Sequence, residues 1–195
     1  MNRRPAGSYH AGVKTPAVLV DDPRANDEYD LPRALADWSG GVAAVIEPLR
    51  FEAAGDAASG AALGPSDSET TRGLKTARVR YRLRPKGGDE REFGVEEGPQ
   101  VLQQLGQPAL LLVCFVSAAT FPLIMRLAQH EATRSMLRVG ITGVRMDGDY
   151  NLARKLIVDG GIAYHEHTRV LDKVLCHRLE LMQRAHVERL RATPG

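Results

Sequence analysis

The chain has 195 residues, 43% hydrophobic and 26% charged, which fits one ordinary domain long enough to bury a core. A net charge of +2 gives no global steering toward nucleic acid or an anionic membrane, and two cysteines are too few for a disulfide scaffold. The basic N-terminus MNRRPAGSYHAGVK is followed by no apolar h-region, so no secretory signal is read and the expected address is cytoplasmic.

Residues 1–30, rich in Pro, Gly and Asp, read as an N-terminal arm. Their one apolar run, Ala17-Val18-Leu19-Val20, ends in Asp21-Asp22 in a way similar to the acidic pocket of phospho-receiver domains. The rest of that pattern is missing. An arm or edge strand turning at Pro23, packed loosely or on a partner subunit, is the expectation.

Residues 31–195 read as a single domain. Ala34 to Trp38, Ser39-Gly40-Gly41 and Val42 to Ile46 suggest strand, turn, strand, with the Gly pair supplying positive φ. Pro48 should end the second strand or confine it to an edge. The Ala, Gly, Ser and Asp of residues 53–72 read as a flexible insertion. Ala77 to Arg84 alternates cleanly: Val79, Tyr81 and Leu83 point one way, and Arg78, Arg80, Arg82 and Arg84 the other. A turn at Lys86-Gly87-Gly88-Asp89 leads into Glu90 to Glu96, whose acids would face the arginines across a hairpin. Those acids cancel the field that a nucleic-acid face would need, so no nucleic-acid partner is expected.

Val101 to Met125 carries no charge and has Cys114 at its middle. A membrane span, a buried core helix and a buried helix presenting a reactive thiol all fit such a run. Gln103, Gln104, Gln107 and the internal Pro122 argue against the span, so a central helix and no membrane are expected. By composition, a cysteine between Val113 and Phe115 is a small buried hydrophobe. Further on, Val139, Ile141 and Val144 suggest a strand. Asp147-Gly148-Asp149 looks like a calcium loop, but Val158 stands where a bidentate Glu is required, so a turn is expected. Ile162 to Val170 reads as a strand placing His165 and His167 on one face, close in sequence to Cys176 and His177. That spacing can bind metal, yet exposed strand histidines are the commoner case and no metal is assigned. Asp172 should cap a last helix running to about Arg191, with Val174, Leu175, Leu179, Leu181 or Met182, and Leu190 on its apolar side.

The fold class expected from these elements is α+β, with antiparallel sheets packed around two long helices, one of them very apolar and central. No GxGxxG, GxxxxGK[ST] or HExxH motif occurs.

The order of elements resembles the OsmC/Ohr family of osmotically inducible and organic hydroperoxide resistance proteins. The likeness rests on Ala36-Asp37-Trp38-Ser39-Gly40-Gly41, on Glu96-Glu97-Gly98-Pro99, and on Leu110 to Cys114 with Ser117-Ala118-Ala119-Thr120. The resemblance implies an intertwined homodimer burying its central helices and a thiol-dependent reduction of small apolar hydroperoxides. Cys114 would be the attacking thiolate, Cys176 the resolving thiol, Arg50 a candidate activating arginine, and a dithiol the reductant, with no cofactor. Gln103-Gln104 stands where the family places a carboxylate that orients the arginine. That difference supports a second reading, a non-enzymatic OsmC-like binding or assembly scaffold with an inert buried cysteine. A single-span membrane protein is the third.

Overall fold

The computed structural model describes residues 15–25, 29–52, 78–105, 111–143, 147–167 and 172–192. Among them run β1 (Ala17–Val20), α1 (Leu31–Ala34), β2 (Val42–Glu52), β3 (Arg78–Pro85) and β4 (Arg91–Gly94). A 3₁₀ turn (Val95–Glu97) and α2 (Gly98–Gln103) lead to β5 (Leu111–Phe115), α3 (Phe121–Gln129) and α4 (Glu131–Arg134). The chain ends with β6 (Leu137–Thr142), α5 (Asp147–Val158), β7 (Tyr164–His167) and α6 (Asp172–Ala192).

The expected mixture of helices and strands is present. Its strands form one mixed seven-stranded sheet in the order β4-β3-β2-β1-β5-β6-β7, in place of antiparallel sheets around a central helix. β1 pairs in parallel with both β2 and β5, and β5, β6 and β7 continue in parallel. β2, β3 and β4 form an antiparallel meander.

Several expectations are overturned here. Val101 to Met125 is not one helix: its greasy middle is β5, whose five residues are all buried. An apolar run of that length suits a parallel strand covered on both faces as well as it suits a helix. Ser117, Thr120 and Pro122 then break the run, with Pro122 in the first turn of α3, where its missing N–H costs nothing. Second, Ala17 to Val20 is no edge strand; β1 lies mid-sheet with every residue buried. Third, Ala34 to Trp38 is the end of α1 and a turn rather than a strand, and β2 runs on through Pro48, where a register irregularity between Pro48 and Arg50 accommodates the ring. Asp147 likewise opens α5 rather than closing a turn.

Other expectations hold. Gly41 and Gly87 have positive φ at the predicted turns. Trp38 Nε1 donates to the Thr15 carbonyl at 3.0 Å, and a Cβ on Gly40 would lie 2.0 Å from that same oxygen. The Trp-Ser-Gly-Gly segment thus fastens the entrance of β1. β3 alternates as read: Arg84 pairs with Glu47 at 2.9 Å and with Glu90 at 3.0 Å, and Arg82 approaches Glu90 at 3.7 Å.

Two apolar layers sandwich the sheet. α2, α3 and α5 cover one face through Val101, Leu102, Phe121, Leu123, Ile124, Leu127, Leu152 and Leu156. α1 and α6 cover the other through Leu31, Ala34, Leu175 and Leu179, joined by Leu35 and Trp38. On α6, Val174, Leu181 and Leu190 are exposed, so its buried stripe is narrower than the sequence suggests. Among the described residues no helix is long and apolar enough to cross a membrane.

Candidate functional site

The chain leaves β1 through α1 on one face, builds β2 to β4 outward, then returns to the other side of β1 as β5. The later crossovers, through α3 and α5, lie on the opposite face. The winding reverses between β1 and β5. In open α/β sheets ligands enter the crevice beyond the carboxyl ends of the strands at such a reversal.

Four polar residues stand at that end. Asp21 and Asp22 follow β1; Ser117 and Thr120 follow β5. All four are at least 95% buried, with Asp21 and Asp22 each 5% exposed. The Asp21 N–H donates to the Ile46 carbonyl at 2.9 Å, extending the ladder one residue past β1. Ser117 Oγ donates to Asp22 Oδ2 at 2.6 Å and stitches the two strand ends together. The Ser117 N–H reaches Thr120 Oγ1 at 3.0 Å, the Thr120 N–H returns to Ser117 Oγ at 3.3 Å, and Thr120 Oγ1 donates to the Phe115 carbonyl at 2.6 Å. From β3, Tyr81 OH donates to the Ala119 carbonyl at 2.6 Å and holds the same loop from below. Burial drives the Tyr81 phenol well above its ordinary pKa, so it stays a donor.

Asp21 is different. Its Oδ1 is buried with no hydrogen-bonding partner among the described residues. Burial raises its pKa from 3.8 to about 6; the Asp22 backbone N–H pulls it back, and the charges of Glu47, Asp22 and Asp30 push it up further. Each of those three acids has a partner of its own. Asp22 holds Ser117, Asp30 accepts from the Arg33 N–H at 2.9 Å as the cap of α1, and Glu47 holds Arg84. One buried acceptor is left over, surrounded by negative charge.

Ser117 cannot serve as a nucleophile in this arrangement. Its proton goes to Asp22 and its oxygen accepts from Thr120, so it acts as a clamp. What the described residues offer at this end is a buried carboxyl that can carry a proton, Asp21.

The residues singled out as a thiol site are not brought together. Cys114 lies in β5, between Val20 of β1 and Gly140 of β6, and is 0% exposed. Burial pushes its thiol far up; among the described residues the one charge opposing this is Arg138. That guanidinium is itself buried and bonded to the carbonyls of Thr133, Arg134, Met136, Gly160 and Gly161. Cys176 packs on the other face of the sheet, where its Sγ donates to the Ala34 carbonyl at 3.6 Å, and neither cysteine is in a disulfide. Arg50 lies in β2 opposite Arg80, and its side chain is outside the described residues.

His165 and His167 do share a face of β7, as expected. His165 Nε2 sits 2.8 Å from Thr142 Oγ1 and its ring meets Tyr150 edge-on. Burial first, and the neighbouring His167 second, lower its pKa, so it is neutral at pH 7. Among the described residues no three His, Cys, Asp or Glu side chains converge as a metal site. No family model, curated protein or solved structure matches this chain.

Proposed function

We propose that the chain is a binding domain that seats a small polar ligand beyond the carboxyl ends of β1 and β5. Asp21 makes the principal contact, and Asp22, Ser117 and Thr120 form the rigid frame around it. One observation carries this reading: Asp21, a residue only 5% exposed, has a buried carboxylate oxygen with no hydrogen-bonding partner among the described residues, at the point where the sheet reverses its winding. An unpartnered buried carboxylate costs several kcal/mol in general, and such a cost is borne where function requires the group. The reading falls within the scaffold class, with Cys114 as inert packing. Screening a fragment library against the ¹⁵N-labelled protein tests it. Hits should move the amides of Asp21, Asp22, Ser117 and Thr120 and lose that effect in Asp21→Asn. Hits confined to other surfaces would end the reading.

The thiol peroxidase, with its OsmC-like homodimer, is the rival. In its favour stands the Arg138 charge felt by Cys114. It requires β5 to open, because the sulfur is sealed and Cys176 lies across the sheet. Thiol titration with an aromatic disulfide separates the two readings. The binding reading expects Cys114 to react only on unfolding; rapid reaction in the native protein, with peroxide turnover lost in Cys114→Ser, would restore the peroxidase.

A further inference from the structure

We infer that the group taken by Asp21 is an organic cation bearing N–H donors, an ammonium or guanidinium carried by a small molecule. This rests on the binding reading above and names its ligand class. The vacant atom is an acceptor, Asp21 Oδ1. Strand alternation sends this side chain to the face of Ala17 and Leu19, where α1 begins at Asp30. The carboxylates whose charge reaches it are Glu47 from β2, Asp22 from its own segment and Asp30 from the cap of α1. Among the described residues, no cation is among the charges acting on it. An anion would meet repulsion from four carboxylates. A neutral donor would satisfy Oδ1 and leave the surplus charge uncompensated, whereas a charge-assisted N–H bond does both.

A divalent metal fits less well. Calcium takes six to eight oxygens and magnesium a full octahedron. Here Asp22, Asp30 and Glu47 are already engaged with Ser117, the Arg33 N–H and Arg84, and no three such ligands converge among the described residues. An ammonium needs only one carboxylate and a negative surround.

Titration calorimetry on the full chain tests the class, with butylamine, 1,4-diaminobutane and butylguanidine as probes. Urea, acetamide and magnesium chloride are the comparisons. The expected result is saturable binding of at least one cationic probe, weakened about tenfold or more by Asp21→Asn. Affinity should rise about tenfold from pH 5 to pH 7.5, because the free carboxyl must lose its proton first. The pH profile needs no variant and stands even if a substitution fails to fold. If urea, acetamide or magnesium moves the Asp21 and Ser117 amides while the amines do not, the cation inference is overturned and the binding reading survives. If no probe of any class moves those amides, both fall.

Discussion

Replacing Asp21 by asparagine should stabilise the protein, and only above a definite pH. The folded-state pKa of about 6 lies above the ordinary 3.8, so the sign is opposite to that of a salt-bridged aspartate. Below about pH 3.8 the carboxyl is protonated in both states and contributes no difference. Between the two values the unfolded chain has released its proton while the native chain retains it, so stability falls as pH rises. Above about pH 6 both are ionised and the loss is complete. A difference of about two units amounts to roughly 3 kcal/mol. The amide of asparagine brings its own buried hydrogens, which offset about 1 kcal/mol. Asp21→Asn should therefore gain about 2 kcal/mol at pH 8 and lose about 1 kcal/mol at pH 3.5. Urea unfolding at half-unit steps from pH 3.5 to 8 measures it. Parallel pH profiles for the two proteins, or a variant less stable at pH 8, would refute the argument that Asp21 is a buried acid whose Oδ1 lacks a hydrogen bond among the described residues.

The remaining predictions follow from the same geometry. Ser117→Ala strands the buried Asp22 carboxylate and should cost about 2–3 kcal/mol of unfolding free energy, where an exposed serine would cost nothing measurable. Tyr81→Phe removes only the bond to Ala119 and should cost about 1 kcal/mol; a larger drop would mean the phenol supports more than that loop. Arg138→Met keeps the stem but removes the guanidinium's bonds to five carbonyls, and should cost about 3 kcal/mol or more. A neutral Arg138→Met would show that those carbonyls find water instead.

The strands with strict alternation were legible. β3 shows its buried and charged faces in eight letters, and its glutamate partners follow at hairpin spacing. β1 and β5 were not. Covered on both sides, they have no alternation to display, and five apolar letters serve strand and helix equally. The candidate site inherits that ambiguity. Asp21-Asp22 stands out in the sequence as an acidic end to an apolar run, but its weight depends on β1 lying mid-sheet beside a strand far away in the chain. Ser117 and Thr120 read as small polar breaks in a greasy stretch, and only the fold turns them into a clamp. Gly98 is a similar case: its lack of a side chain matters because a Cβ there would come within 2.5 Å of Leu123 Cδ1, a contact between α2 and α3.

The hydrogen bond from Ser117 to Asp22 closes a span of 95 positions. During synthesis the meander of β2, β3 and β4 can pair as soon as it emerges, while β1 has only one neighbour until β5 is made. For that interval Leu19 and Val20 lack the β5 flank that later covers them. Assembly of the parallel half then requires closure of a long loop, the kind of contact that slows folding. A carboxyl that keeps its proton until about pH 6 would ease the joining of β1 to β5 in mild acid relative to neutrality.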